Sequence, residues 1–105
     1  MQQDGLVDDI ARTIVERLHP KRIVLFGSRA RGASYADSDI DIFVEMETSK
    51  TPPERAIEVA SLFGLRPWAL DVVVYTPEEA RKLRKKTGTL LAMIEKEGKR
   101  LYESP

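Results

Sequence analysis

Three short runs of strand-forming residues constrain most strongly how this 105-residue chain can fold. They span residues 21–26, 39–44 and 70–75, and isoleucine, valine, leucine and phenylalanine dominate them. A helix-length segment over about 51–64 separates the second run from the third, which is enough for a crossover between parallel strands. We therefore predict one α/β (α+β) domain over residues 1–105, in which helices pack against a small mixed sheet.

Two of the predicted helices carry clear start signals. Thr51 and Thr76 are each followed by proline and, three residues later, by glutamate, which is the capping-box pattern. The first of these helices is predicted to turn an apolar side, including Ile57, toward the core. The remaining predicted elements are a helix over 4–19, a basic cluster over 81–86 on the helix that starts at Thr76, a helix over 89–96, and a strand or extended end after Gly98.

Charge and cysteine content exclude several classes of function. Lysine and arginine number 17, as do aspartate and glutamate, so no net charge draws the chain to nucleic acid or to a membrane surface. The chain has no cysteine, which excludes disulfides and thiolate metal sites. It shows neither a secretory leader nor an apolar stretch of membrane-spanning length, which predicts a cytoplasmic protein without a membrane partner. The basic cluster could contact RNA or an acidic partner, but we interpret it as a solvated helix face and expect no nucleic-acid partner.

A possible phosphate site follows the first predicted strand. Gly27 has no Cβ to keep a ligand away, and Ser28 stands where a helix N-cap would lie, so backbone N–H groups and a hydroxyl could face an anion. Arg29 and Arg31 would fall in the first helical turn, where the helix dipole disfavours cations unless an anion binds there. A serine-capped corner without any ligand is the alternative, since the spacing matches neither a Walker loop nor a dinucleotide fingerprint.

Three aspartates in the predicted strands indicate a metal site. As a strand, residues 39–44 place Asp39 and Asp41 on one face, with Cα atoms roughly 6.6 Å apart at about 3.3 Å per residue. Asp71 stands in a run of valines, where a carboxylate needs a partner, and pairing of the two strands would bring it beside the other two aspartates. Three such charges repel one another unless a divalent cation such as Mg²⁺ neutralises them. A solvated strand face is the alternative for the Asp-x-Asp pattern alone.

Taken together, these residues resemble the minimal nucleotidyltransferases of the DNA polymerase β superfamily. The resemblance rests on Gly-Ser-x-Ala-Arg-Gly over 27–32, on Ser-Asp-x-Asp over 38–41, and on a later lone aspartate, Asp71, in a predicted strand. The ending over 94–102 is also similar, so the resemblance covers nearly the whole chain. It implies the polymerase β-like nucleotidyltransferase fold.

The resemblance also implies a reaction, in which AMP passes from ATP to an acceptor hydroxyl and pyrophosphate is released. Asp39 and Asp41 would hold Mg²⁺, with two ions expected, and Asp71 would complete the second metal position and help to deprotonate the hydroxyl. The nucleotide-binding residues would be Gly27, Ser28, Arg29 and Arg31. Either arginine could instead form a structural salt bridge.

The acceptor that the resemblance implies is a protein. Short members of this group often act as antitoxins beside a small helical HEPN toxin, and some adenylylate a tyrosine of that toxin. We therefore expect an antitoxin that modifies a HEPN-type partner, while homo-oligomer formation and a need for the partner in activity stay open. The alternatives are a binding module that neutralises its partner by contact alone, and a small-molecule, aminoglycoside-type transferase that needs a helical partner.

Overall fold

The structure, a computed structural model, describes residues 5–27, 29–30, 39–66 and 68–105. In these residues the chain forms four helices and four strands. The helices are α1 (Gly5–Leu18), α2 (Pro52–Ala60), α3 (Pro77–Leu83) and α4 (Leu90–Glu97), with a 3₁₀ turn over Ser61–Phe63 after α2. The strands are β1 (Arg22–Phe26), β2 (Ile40–Glu45), β3 (Leu70–Tyr75) and β4 (Lys99–Glu103).

The strands of the described residues form a mixed sheet in the order β3-β2-β1-β4. β1 pairs antiparallel with both β2 and β4, whereas β2 and β3 run parallel. Parallel neighbours cannot be joined by a tight hairpin, and the crossover through α2 supplies the length that the parallel pair needs. The predicted α/β class is therefore confirmed, as is the pairing of the third predicted strand with the second.

Helices cover both faces of this sheet. Apolar side chains of α1 and α2 pack on the face that carries Ile42 and Val44, while α3 and α4 pack around Phe43 on the opposite face. Ile42 and Phe43 have no exposed surface, and burying each contributes roughly 1.5–3 kcal/mol. Side chains alternate along a strand, so Asp41 and Glu45 of β2 share the face that Phe43 and the helices α3 and α4 occupy.

No helix in the described part of the chain is long and apolar enough to cross a bilayer.

Both predicted capping boxes are present. The Thr51 hydroxyl accepts a hydrogen bond from the backbone N–H of Glu54, and the Glu54 carboxylate accepts one from the backbone N–H of Thr51. Thr76 and Glu79 form the same pair of hydrogen bonds at the start of α3. The first box fixes where the chain enters the crossover helix α2, and the second fixes where it leaves β3 and enters α3.

The prediction that Ile57 faces the core is wrong, because its side chain is 67% exposed. The inward positions of α2 are taken by Arg55 and Val59, which lie one helical turn apart. Arg55 is 6% exposed, and its guanidinium donates to the Val74 carbonyl oxygen at 3.3 Å and to Glu79 Oε1 at 2.8 Å. An arginine therefore occupies a place that a hydrophobic pattern assigns to an apolar residue.

The basic cluster over 81–86 is divided between a helix and a turn. α3 ends at Leu83 with Arg84 as its C-cap, so the prediction that one helix carries the whole cluster is wrong. Lys82 pairs with Glu78 on the helix surface at 3.5 Å, whereas Arg84 turns toward acidic side chains of other elements. At least two cations of the cluster therefore have acidic partners within the fold.

A ring of four charged side chains ties one end of the sheet to the helices above it. Glu45 of β2 is 1% exposed, and its Oε1 accepts from Arg22 Nε at 3.2 Å and from Arg84 Nη2 at 3.3 Å. The same two guanidinium groups donate to Glu95 Oε2 at 2.9 Å and 2.7 Å. Positive and negative groups alternate around this ring, so the buried carboxylate of Glu45 is compensated by two cations.

Candidate active site

The predicted aspartates lie at the opposite end of the sheet from the charged ring. Phe26 pairs with Asp41 across the antiparallel β1–β2 ladder, and Asp41 pairs with Asp71 across the parallel β2–β3 ladder. Side chains of residues paired in register point to the same face of a sheet, on strands about 4.8 Å apart. The carboxylates of Asp41 and Asp71 therefore stand side by side on neighbouring strands.

Gly27 closes this end of the sheet directly beside Asp41. Its φ of +79° lies in the left-handed region, which favours glycine. A Cβ on Gly27 would also overlap the Asp41 carboxylate, so a side chain at this position would displace that group. Two separate constraints, one on the backbone and one on space, thus require glycine where β1 ends.

Asp39 lies at the same sheet end but just before β2 begins. The backbone N–H of Ile40 donates to the Ala69 carbonyl oxygen at 3.0 Å, so the parallel ladder already starts at this level. Asp39 and Asp71 are exposed, and neither forms an ion pair within the described residues. The structure thus places two of the three aspartates in register and the third two residues ahead of Asp41.

Carboxylate oxygens in this arrangement suit a hard cation. Two like charges on neighbouring strands repel each other, and a cation between them removes that cost. Mg²⁺ prefers oxygen ligands and is often held by one or two carboxylates together with substrate phosphates. Among the described residues, no three acidic or histidine side chains are already grouped around a common metal position. The donor chemistry fits Mg²⁺, and the register provides the pair Asp41 and Asp71.

The predicted phosphate site is described in part. Gly27 ends β1, and Arg29 follows it in a turn, half-buried and engaged in interactions of its own. Ser28 and Arg31 lie outside the described residues. The phosphate-binding roles of these four residues therefore stay a prediction.

A groove beside Asp71 is a feature that sequence reasoning missed. It lies between α2 and β3, has a volume of about 280 Å³, and is lined by Ala56, Ile57, Ala60, Leu70, Asp71 and Val72. The available signal was the helical spacing of α2, since a core position at Val59 turns Ile57 outward. The groove therefore places an apolar surface of α2 next to Asp71.

Carboxylates that hold one or two metal ions serve many enzymes of phosphoryl transfer, in which the metals stabilise the attacking and leaving oxygens. Residues 8–104 match the family model of the nucleotidyltransferase domain. This chain therefore belongs to the nucleotidyltransferase domain family.

Solved structures share its fold. A candidate nucleotidyltransferase from Sulfolobus solfataricus is 21% identical, with a TM-score of 0.63 over 93% of this chain and 78% of that one. A toxin–antitoxin complex with AMP-PNP is 25% identical, with a TM-score of 0.60 over 92% of this chain and 73% of the other. A mutant of the MntA–HpeT toxin–antitoxin pair is 22% identical, with a TM-score of 0.59 over 92% and 72%. Among curated proteins, no match to this chain is found. The nucleotidyltransferase fold predicted from the sequence is confirmed.

Proposed function

We propose that this chain is a Mg²⁺-dependent nucleotidyltransferase that transfers AMP from ATP to a hydroxyl of a partner protein. The observation that carries the proposal is the register of Asp41 with Asp71, on neighbouring strands beside the glycine that ends β1. Membership in the nucleotidyltransferase family supplies the reaction class. ATP as the nucleotide is supported by a structural neighbour that was solved with AMP-PNP.

The residues of the sheet end would divide the chemistry between them. Asp39, Asp41 and Asp71 would hold up to two Mg²⁺ ions, which when bound would neutralise phosphate charge. The acceptor oxygen attacks the α-phosphorus of ATP, the bond from that phosphorus to the bridging oxygen of the β-phosphate breaks, and pyrophosphate leaves. The hydroxyl proton passes to the Asp71 carboxylate, which lies at the open side of the sheet.

The triphosphate would bind at the corner that follows β1. Gly27 lets a ligand approach its backbone closely, since it carries no Cβ. The Ser28 hydroxyl would donate to a phosphate oxygen, and Arg29 or Arg31 would balance phosphate charge. The close approach of Asp41 to Gly27 would then bring a metal-bound phosphate and this corner together.

The acceptor in this proposal is a tyrosine of a HEPN-type toxin, and the chain is the antitoxin. Two structural neighbours are toxin–antitoxin assemblies, which supports a toxin as partner. A tyrosine hydroxyl supplies the nucleophilic oxygen that the reaction needs. Blocking a toxin by covalent modification would make one antitoxin molecule sufficient for many toxin molecules.

The proposal is tested by incubating the purified chain with ATP, Mg²⁺ and the product of the adjacent gene, followed by mass spectrometry. We expect an adenylyl addition on a tyrosine of that product with the wild-type chain and none with Asp39→Ala. Asp8→Ala removes an exposed aspartate on α1 that lines a separate cavity with Leu101 and Tyr102 of β4, at the opposite sheet edge from Asp71, and should leave the addition intact.

A contact-only antitoxin would give a different pattern in the same experiment. The wild-type chain would then produce no adenylyl addition, while Asp39→Ala would still inhibit the toxin as well as wild type does. That pair of results would contradict the proposed transfer.

A further inference from the structure

The two edges of the sheet differ in how they are protected. β4 carries Lys99 and Arg100, and its pairing with β1 shifts register between Ile23 and Val24. Charged residues and irregular pairing are the usual means by which proteins keep an edge strand from pairing further. β3 pairs with β2 without any register shift, and Asp71 is its only charged residue. Within the part of the chain that the structure describes, the β3 edge therefore has fewer of these protective features than the β4 edge.

The backbone of β3 leaves part of this edge available for pairing. The carbonyl oxygens of Ala69 and Tyr75 accept from β2 and the residue after it, each at 3.0 Å. Because backbone groups alternate along a parallel ladder, the groups of Leu70, Val72 and Val74 point away from β2. The Val74 carbonyl oxygen already accepts a hydrogen bond from the Arg55 guanidinium. The outward groups of Leu70 and Val72 flank Asp71, and all three residues line the groove between α2 and β3.

The groove offers an apolar wall beside these outward groups. Ile57 is 67% exposed on α2, and Ala56 and Ala60 complete the helical side of the groove. Asp71 lies in the same groove on the strand side. A segment paired with this edge would therefore have the apolar surface of α2 on one face of the sheet and, on the opposite face, the Asp71 carboxylate that the proposed mechanism uses as base.

We propose that the acceptor is an extended protein segment that pairs with the β3 edge as a fifth strand, with its hydroxyl residue opposite Asp71. This inference rests on the proposed function and adds how the acceptor is recognised. Side chains of a paired strand alternate, so the hydroxyl residue shares the face of Asp71 and its two neighbours point to the side of Ile57. The acceptor segment should therefore carry an apolar residue on each side of its hydroxyl residue.

A second copy of this chain is a poorer occupant of the same edge. A twofold pairing through Leu70 and Val72 would centre on Asp71 and set two like charges directly opposite each other, which is unfavourable. A neutral or basic segment avoids this repulsion, and the exposed Asp39 at the same end of the sheet also favours such a segment. The observations thus favour a hetero-partner segment.

Docking is tested with two capped pentapeptides of identical composition, Lys-Val-Tyr-Val-Lys and Val-Lys-Tyr-Lys-Val. We expect the first to shift the backbone amide NMR signals of Leu70 and Val72 in the absence of nucleotide. With ATP and Mg²⁺ it should be adenylylated with a kcat/KM roughly tenfold higher than that of the second peptide. Equal kcat/KM values, or no shift at either amide, would overturn the docking mode.

The variant Ile57→Gln tests the apolar wall without adding charge or breaking the helix. It should raise KM for the first peptide about tenfold and leave kcat and the stabilisation of the chain by Mg²⁺ with AMP-PNP unchanged. Leu90→Gln is the matched control, because Leu90 is an exposed apolar residue on α4, across the sheet. An unchanged KM in Ile57→Gln would overturn the proposed wall.

The outcomes separate this inference from the proposed function. Transfer to both peptides at equal rates would leave the nucleotidyltransferase activity standing and remove only the edge-docking step. Peptide binding at Leu70 and Val72 with no transfer to the peptide, while the toxin tyrosine is adenylylated, would overturn the role of the edge segment as acceptor and leave the proposed function standing. Dimers that Ile57→Gln dissociates would show a second copy on the edge and contradict a hetero-partner segment.

Discussion

Asp41 and Glu45 lie on the same strand and the same face of the sheet, but at opposite ends and in opposite surroundings. Glu45 is buried and accepts hydrogen bonds from Arg22 and Arg84. Asp41, which has interactions of its own, lies against Gly27 and stands in register with another carboxylate, Asp71. At one end the chain pairs opposite charges, and at the other it places like charges on neighbouring strands.

This difference separates structural charges from the proposed functional ones. Removing one partner of a buried carboxylate–arginine pair strongly destabilises the fold, because the remaining buried charge loses its compensation. Like charges held side by side destabilise the fold slightly. A cation that binds between them removes this repulsion and stabilises the fold. We therefore expect substitutions at the Glu45 end to change folding and those at the Asp71 end to change ligand binding and activity.

The largest expected effect is on activity, in Asp71→Asn. Replacing the proposed base by an amide should lower the rate of AMP transfer on the order of 10²–10⁴-fold. The melting temperature should stay near that of wild type, since Asp71 is exposed and forms no ion pair within the described residues. Initial rates by mass spectrometry and thermal unfolding of the same sample measure both quantities. A large drop in melting temperature would show that Asp71 is structural.

The converse change at the other end is Glu45→Gln. It leaves Arg22 and Arg84 with Glu95 as the only remaining carboxylate of the ring, and we expect the free energy of unfolding to fall by about 2 kcal/mol. Denaturant titration measures this change. The control is Glu103→Gln, which removes one partner of the exposed pair with Arg100 and should cost less than about 1 kcal/mol. Similar losses in the two variants would refute a special role for the ring.

Gly27→Ala combines two effects at the aspartate end of the sheet, which are backbone strain and displacement of the Asp41 carboxylate. A side chain at a φ of +79° costs roughly 1–2 kcal/mol, and its Cβ would also push the Asp41 carboxylate aside. Gly88→Ala carries a comparable backbone penalty at +75° but meets nothing within 4 Å. Gly27→Ala should lose at least as much stability as Gly88→Ala, and only Gly27→Ala should lose activity. Equal activity in the two variants would contradict the positioning role of Gly27.

The smallest expected effect is in the pH dependence of stability. The hydrogen bond from Arg55 holds the pKa of Glu79 below its ordinary value, and a backbone hydrogen bond from Thr76 adds to this. A carboxylate with a lowered pKa stabilises the fold above its unfolded-state pKa, and this contribution is lost as the pH falls through the folded-state pKa. Melting temperatures of wild type and Glu79→Gln should therefore differ at neutral pH and converge below pH 4.5. A difference that persists unchanged in acid would contradict this assignment.

The Glu95 carboxylate of the ring should titrate in the same direction. Burial alone would raise the pKa of Glu95, but hydrogen bonds from Arg84 and Arg22 outweigh burial and lower it. The ring thus also loses strength in acid, since protonation of Glu95 removes one of its two negative charges. Acid therefore weakens the end of the sheet that holds the structural charges.

Local patterns were sufficient to predict much of the site end. The end of β1 at Gly27, the two capping boxes and the parallel pairing that brings Asp71 beside Asp41 follow from short-range signals and one crossover length. Ile57 was misjudged because Arg55, a charged residue, takes an inward position that only its long-range partners on β3 and α3 make favourable.

The charged ring could not be predicted from sequence spacing. Its members come from β1, β2, α4 and the turn after α3, and Arg22 is separated from Glu95 by 73 positions. No local pattern pairs residues so far apart, and the pairing depends on how helices pack over the sheet. The extent of α3 was misjudged for a related reason, since Arg84 leaves the helix to join this ring.

The most direct test is thermal unfolding with and without Mg²⁺ and AMP-PNP, in wild type, Asp41→Asn and Glu45→Gln. Ligand at 100 times its Kd should stabilise the wild-type chain by about 2.7 kcal/mol. Glu45→Gln should melt lower but keep this ligand-induced increase, whereas Asp41→Asn should lose it. If Mg²⁺ and AMP-PNP leave unfolding of the wild-type chain unchanged over a wide concentration range, the aspartate end of the sheet is not a nucleotide site.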